Sequence, residues 1–303
     1  MADALRQDVE FAADGVTLRG WLFTPGDRTG PYPAVIMAHG FSAVKEMGLA
    51  DYAAVFAAAG LAVLVYDHRN LGASDGTPRY EIDPVAQLRD YRHAITFMTG
   101  RSEIDPDRIG LWGTSYSGGL VLMAAAQDRR VRCVVAQVPF ISGYDTLMKP
   151  ASAEVRAQFH ATQEAERQSL AAGSPPRLVP VCTKDPDAPA QPRGYSTYDY
   201  FHGFGEAVTA IWGNRITVRS QGLRQEYEAM PWMARIAPTP LLMIIATDDS
   251  ITPTDICRDA YAQALAPKQL VAIPGGHYAP YLDGFAASSE AARDWFATHL
   301  SAI

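Results

Sequence analysis

The chemistry of this chain is expected to begin at Ser115. It stands in Gly113-Thr114-Ser115-Tyr116-Ser117, between the apolar run Ile109 to Trp112 and the alanine-rich run Leu120 to Ala126. That pattern predicts a strand, a very tight turn and a helix. A serine on such a turn has its hydroxyl held clear of the backbone, and the helix start beneath it offers unpaired N–H groups to a developing oxyanion. The motif is the G-x-S-x-G turn of a serine nucleophile, with Ser117 in the place of its last glycine. Shifting the frame to Ser115 through Gly119 makes Ser117 a rival nucleophile. Ser115 is preferred because the strand ends at Gly113 and Ser117 would already lie in the helix. Without partners, the segment also reads as a glycine-rich turn with no chemistry.

Partners do follow, each just after an expected strand. Leu241 to Thr247 runs into Asp248 and Asp249, and Lys268 to Ile273 runs into Pro274-Gly275-Gly276-His277. If the strands are parallel, Ser115, Asp249 and His277 share one sheet edge, where active loops of α/β folds gather. A neutral imidazole can take the serine proton near pH 7, and a carboxylate can orient that ring and stabilise its charged form. Asp248 competes with Asp249, and Asp67 is a weaker rival acid. His39, after the strand Ala34 to Ala38, is read as structural, holding its loop by hydrogen bonds. The backbone N–H groups of Phe41 and Tyr116 would form a two-donor oxyanion hole.

The elements that must position these groups alternate regularly at first. Val9 to Ala12 and Val16 to Phe23 form a hairpin across Asp14-Gly15. Gly48 to Ala59 is a helix stopped by Gly60, and Leu61 to Tyr66 the next strand. Asp67 and Arg69 are expected to pair in the loop that follows. Pro84 to Thr99 is a helix capped by Asp83, with an apolar stripe of Val85, Leu88, Tyr91, Ile95 and Met98. Val131 to Val138 is an almost wholly apolar strand. The alternation then breaks from Pro139 to Pro238. Val155 to Ala172 suits an amphipathic helix, and the proline-dense Gly173 to Pro192 an irregular excursion. Tyr195, Tyr198, Tyr200, Phe201, Phe204 and Trp212 cluster beyond it. Such clustering suggests a cap over an apolar pocket, lined by at least two of Tyr198, Phe201, Phe204 and Trp212, or an accessory layer with its own small core. Thr252-Pro253-Thr254-Asp255 reads as a capping box for a helix to about Leu265, and Phe285 to Leu300 as the last helix.

Composition bounds the function. The 303 residues are 48% hydrophobic and 19% charged with a net charge of −7, and no Lys/Arg cluster appears, which disfavours nucleic acid and anionic membrane surfaces as partners. No apolar run is long enough for a transmembrane helix. The acidic, polar start from Met1 to Glu10 lacks a signal-peptide core. Three widely spaced cysteines, Cys133, Cys182 and Cys257, suit a reducing cytoplasm and no disulfide framework or zinc site.

The whole chain resembles the α/β-hydrolase superfamily, and within it the bacterial serine hydrolases of the dienelactone-hydrolase and Xaa-Pro dipeptidyl-peptidase-like branch. The resemblance is carried by HGF at His39 to Phe41, YDHRNLGASDG at Tyr66 to Gly76 and WGTSYSGG at Trp112 to Gly119. TPLLMIIATDD at Thr239 to Asp249 and PGGHYAPY at Pro274 to Tyr281 complete it. The resemblance implies Ser115 as nucleophile, His277 as base, Phe41 and Tyr116 as oxyanion donors, and Asp249 as acid, four residues before Pro253. In the peptidase group a tyrosine follows the serine, so the Tyr116 hydroxyl would add a donor. A dienelactone hydrolase typically uses cysteine, so the serine argues against that activity.

Together these readings give an α/β-hydrolase fold: a mostly parallel central sheet flanked by helices, with the core at 1–139 and 236–303 and an inserted cap or lid at 140–235. The expected function is a cytoplasmic serine hydrolase that cleaves small to medium apolar carboxylic esters through an acyl-enzyme, with no metal and no organic cofactor. A homodimer is compatible with it. The alternatives are a peptidase or amidase, a thioesterase or acyltransferase of secondary metabolism, or a non-catalytic ligand-binding protein on the same fold. A peptidase would need an acidic site for the substrate amine, for which Glu154, Glu164 and Glu166 are candidates.

Overall fold

In the computed structural model, which describes residues 4–26, 29–184 and 195–301, the chain opens with a hairpin. Strands β1 (Leu5–Ala13) and β2 (Val16–Thr24) pair in register from Leu5↔Thr24 to Ala13↔Val16. Asp14 and Gly15 turn it with φ 43° and 82°, the two left-handed positions that a two-residue hairpin of this twist requires. The hairpin joins antiparallel to β4 (Ala62–Tyr66), which lies beside β3 (Tyr32–Ala38). Next come β5 (Ile104–Thr114), β6 (Val131–Gln137), β9 (Leu241–Ala246) and β10 (Lys268–Ile273), giving the order β1-β2-β4-β3-β5-β6-β9-β10. From β4 to β10 all pairings are parallel. Their carboxyl ends therefore share one edge, and the loops after β3, β5, β9 and β10 meet there.

Helices cover both faces, which is why β4 and β9 are buried along their whole length. Helices α1 (Leu49–Ala58) and α9 (Phe285–His299) close one face, where Phe56 and Phe296 meet edge to face at 5.4 Å. Helices α2 (Pro84–Thr99), α3 (Tyr116–Gln127) and α8 (Thr254–Gln263) close the other. Asp83 caps α2 through the Val85 and Ala86 amides, with Pro84 in its first turn. The buried face of α2 differs from the apolar stripe. Val85 is 43% exposed, whereas Gln87 and Asp90 are inside. Asp90 is held inside by an electrostatic partner, the Arg69 guanidinium. The expected Asp67–Arg69 pair does not form, because Asp67 is fully buried against Lys45 instead, with Nζ at 2.8 Å.

Between β6 and β9 lies an inserted cap region. A π-helical turn (Tyr144–Met148) precedes α4 (Ala153–Ala171). A short antiparallel ladder of β7 (Leu178–Val179) and β8 (Ile216–Thr217) crosses part of the stretch expected to be irregular. Helices α5 (Tyr195–His202), α6 (Glu206–Trp212) and α7 (Val218–Leu223) follow, with 3-10 turns at Arg224–Glu226 and Met230–Arg235. Residues 185–192 of the proline-rich run and the Tyr195 side chain lie outside the described residues. Among those described, no helix is long and apolar enough to cross a membrane.

Helix α3 crosses β5 closely beside the site. A Cβ on Gly113 would stand 2.2 Å from the Ser117 carbonyl oxygen and 2.6 Å from its carbon, and backbone cannot swing away. Gly113→Ala should therefore destabilise the fold by about 1–3 kcal/mol, as overpacking does. Gly100→Ala, at a helix end with φ −84° and its nearest contact at 3.4 Å, should change stability by no more than about 0.5 kcal/mol. Urea denaturation of both variants checks this; equal midpoints would contradict the packing argument.

Candidate active site

Ser115 links β5 to α3 with φ 53° and ψ −116°, a conformation that L-residues rarely adopt. Three backbone hydrogen bonds hold it there. Its N–H donates to the Gln137 carbonyl at 2.8 Å, and its carbonyl accepts from Phe140 at 2.8 Å and Gly118 at 3.0 Å. The turn thereby lifts the side chain toward the loop that ends β10. His277 Nε2 lies 3.0 Å from Ser115 Oγ, and His277 Nδ1 lies 2.7 Å from Asp249 Oδ2. With the carboxylate accepting, Nδ1 carries the proton and Nε2 is left to accept the serine hydroxyl.

Asp249 is anchored on every side. Its Oδ1 accepts the amides of Ile251 at 2.8 Å and Thr252 at 2.9 Å, and the Thr252 hydroxyl is 2.8 Å from Oδ2. Burial alone would push this carboxyl up; the hydrogen bond and charge of the His277 ring, with the Thr252 amide and hydroxyl, outweigh it and hold the carboxyl below its ordinary range. Asp248, one residue earlier, is exposed and bonds to the Thr247 hydroxyl at 2.6 Å. The Thr252 hydroxyl also lies 3.0 Å from the Val138 carbonyl and 3.2 Å from His277 Nδ1. The sequence pattern makes Thr252 the first residue of a capping box, but α8 begins after Pro253 with no side-chain cap. A pattern that serves helices elsewhere here holds the Asp249 carboxylate and the His277 ring.

Ser117 is fully buried and occupied. Its hydroxyl donates to the His39 carbonyl, so His68 Nε2, at 2.8 Å, is the donor to Ser117 Oγ. Burial first, then the neighbouring His39 and Arg69, pushes the His68 ring well below its ordinary range, and burial does the same to His39 against the pull of Asp67. His39 Nδ1 lies 2.9 Å from the Gly40 carbonyl, while Nε2 faces the His68 amide at 3.2 Å. Both neutral rings thus brace the loop that carries Phe41. That loop presses on the serine: a Cβ on Gly40 would lie 3.2 Å from Ser115 Cβ.

Two cavities open at Ser115. One is walled by Met47, Leu49, Tyr200, Phe201, Tyr278 and Tyr281 and reaches His277. The other is walled by Tyr116, Phe140, Leu147, Arg224 and Thr252. Ser115, Phe41 and Ile251 border both. Of the four cap aromatics expected at the pocket, Phe201 lies in the wall. Trp212 stacks behind it at 4.7 Å and donates to the Ser42 hydroxyl. Tyr198 stacks on His202, and Phe204 sits against Tyr200 in a separate surface hollow. Neither cavity wall includes Tyr198, Phe204 or Trp212, so the two-aromatic expectation is corrected to Phe201 with Tyr200, whose ring stacks on Tyr278 at 4.4 Å. Helices α5 and α6 are eight and seven residues long, too short for periodicity to reveal which aromatics face inward. Arg224, Ile251 and Leu147 carried no sequence signal at all. Glu164 pairs with Arg167 and Glu166 with Arg177, and neither they nor Glu154 border either cavity. Among the described residues no group of three or more His, Cys, Asp or Glu is placed to hold a metal ion.

Known proteins resemble this chain along most of its length. A thiohydrolase of Eupenicillium brefeldianum is 38% identical over 257 residues, covering 83% of this chain and 80% of that protein. The polyketide transferase af380 of Aspergillus fumigatus is 36% identical over 257 residues, with 82% of each covered. The crystal structure of the α/β hydrolase GrgF from Penicillium sp. sh18 superposes with a TM-score of 0.83 at 29% identity, covering 98% of this chain and 99% of that one. The chain is an α/β-hydrolase-fold enzyme related to fungal thiohydrolases and acyltransferases. The model of the X-Pro dipeptidyl-peptidase (S15) family matches residues 14–279, and the chain belongs to that family.

Proposed function

We propose that this enzyme transfers acyl groups from thioesters to water or an acceptor hydroxyl through a covalent intermediate on Ser115. The observation that carries this reading is the row Ser115 Oγ, His277, Asp249, at 3.0 and 2.7 Å. Ser115 attacks the thioester carbonyl while His277 Nε2 takes its proton. The backbone N–H groups of Phe41 and Tyr116 receive the developing oxyanion. His277 returns the proton to the departing thiol, then activates the acceptor that releases the acyl group. Asp249 keeps the ring in the required tautomer, and Thr252 keeps Asp249 in place. No metal or organic cofactor enters these steps.

The thioester is favoured over the simple carboxylic ester expected from sequence because the relatives near full length are thiohydrolases and polyketide transferases. Two apolar cavities meeting at one serine suit a reaction that seats an acyl chain on one side and a leaving or accepting group on the other. The X-Pro dipeptidyl-peptidase activity that names the family is disfavoured by the site's charge. An aminopeptide needs an acidic group free to pair with its amine, and the charged side chain in the wall of the Phe140-side cavity is the cation Arg224.

Four outcomes test this reading. A panel of N-acetylcysteamine thioesters, p-nitrophenyl esters and aminoacyl-prolyl amides should rank in that order of kcat/KM; an enzyme fastest on the amides would overturn it. Ser115→Ala should lower turnover by at least about 10³-fold and remove phosphonate labelling, with the adduct of the wild-type enzyme found on Ser115 by peptide mass spectrometry. An adduct on Ser117 would reassign the nucleophile. Asp249→Asn should cost on the order of 10⁴-fold in kcat, since the ring loses the partner that sets its tautomer, while Asp248→Asn should stay near wild type. Thr252→Val should fall between them, at about 10-fold, with kcat and not KM reduced; an unchanged kcat would remove Thr252 from the site.

A further inference from the structure

Arg224 is 7% exposed, in a cavity wall that is otherwise Phe41, Tyr116, Phe140, Leu147, Ile251 and Thr252 with Ser115. A buried guanidinium is costly unless a counter-charge or hydrogen bonds compensate it. Here its Nε has no hydrogen-bond partner among the described residues. No carboxylate contributes to its charge balance: burial lowers its pKa to about 10, and the one opposing influence is Tyr116. It remains a cation at neutral pH. Its evident contact is the face of the Phe41 ring, 4.7 Å from the guanidinium carbon. The Tyr116 hydroxyl, in the same wall, is likewise buried without a partner.

The placement is rigid. The Tyr227 hydroxyl donates to the Tyr116 carbonyl at 2.6 Å, and its ring packs on Tyr116 at 4.9 Å, so the segment after Arg224 is tied to the first residue of α3. Gly143 passes so near that a Cβ there would stand 2.0 Å from the Arg224 carbonyl oxygen. The side chain is thus delivered into the chamber by a fixed backbone, and among the described residues no carboxylate pairs with it.

We infer that Arg224, with the Tyr116 hydroxyl beside it, binds a carboxylate of the substrate in the chamber on the Phe140 side of Ser115. This rests on the acyl-transfer reading above and names a specificity element for it. One planar guanidinium fork and one hydroxyl match a carboxylate, whose two oxygens accept parallel N–H bonds. Aromatic and aliphatic walls elsewhere in the chamber suit a short carbon chain between that carboxylate and the scissile carbonyl. The carboxylate can belong to the acyl part or to the leaving thiol.

Two pairs of probes separate these sources. The first is the N-acetylcysteamine thioester of adipic acid against that of its monomethyl ester. The second is the hexanoyl thioester of 3-mercaptopropionate against that of its methyl ester. The wild-type enzyme should favour the free acid over the methyl ester in one pair by about 10–100-fold in kcat/KM, the worth of a charge-assisted hydrogen bond. Arg224→Met should abolish that ratio, and Arg224→Lys, which keeps the cation but not the fork, should give an intermediate one. No preference in either pair, or a preference that survives in Arg224→Met, overturns the inference. Calorimetry with Ser115→Ala supplies a reading independent of turnover: adipate should bind more tightly than 1,6-hexanediol, and adding Arg224→Met should remove the difference. If adipate binds in this way but no thioester is turned over, the acyl-transfer reading fails and the carboxylate site stands. If thioesters turn over and adipate binds no better than the diol, the carboxylate site fails alone.

Discussion

The left-handed backbone of Ser115 is the constraint on which the site depends. A non-glycine residue in such a conformation costs on the order of 1–3 kcal/mol and persists only where its surroundings over-determine it. Here the Gln137 carbonyl and the Phe140 and Gly118 amides do so. Two of those three partners lie at and just beyond the end of β6, so the turn is shaped by the neighbouring strand as much as by its own. Phe140 then packs on Tyr227 at 5.2 Å, and Tyr227 returns to Tyr116. The root of the inserted region and the serine turn are therefore one packed unit.

A second layer beneath the loops is polar, and most of its groups are hydrogen-bonded, the buried His68 Nδ1 being without a partner among the described residues. Asp67 accepts the Lys45 and Ala73 amides at 2.7 and 2.9 Å as well as the Lys45 ammonium. His39, His68 and Ser117 form a chain of neutral donors and acceptors beside it. Burying such groups is tolerable only when they are hydrogen-bonded, and a satisfied network specifies one arrangement. What it specifies here is the course of His39-Gly40-Phe41, the loop that meets Ser115 from the opposite side.

Much of this was legible in the sequence because it is local. The Asp14-Gly15 hairpin, the Asp83 cap and the strand-turn-helix at Gly113 depend on residues close along the chain, and the structure has them where the pattern puts them. Parallel strands then bring Ser115, Asp249 and His277 to one edge by topology alone. Long-range choices were not legible. Nothing near Arg69 reveals that its partner is Asp90 on α2 and not Asp67 two residues away. Thr252 carries a good helix-start pattern, yet its hydroxyl is drawn to Asp249, because a buried carboxylate is a stronger acceptor than a solvent-facing amide is a donor. Arg224 looks like any surface arginine until the packing around Tyr227 shows where it points. In the cap, the short α5 and α6 leave the choice between Tyr198 and Tyr200 to tertiary contacts with Tyr278.

Ile251 has a double position. Its side chain borders both cavities, while its amide donates to Asp249 Oδ1. The partition between the two compartments is thus built on the same three-residue turn that solvates the acid. A bulky guest that displaces Ile251 would draw a hydrogen-bond donor away from Asp249 and loosen the turn that positions its carboxylate. The shape of the space beside Ser115 and the hydrogen bonding of the Asp249 carboxylate are therefore mechanically coupled through one residue.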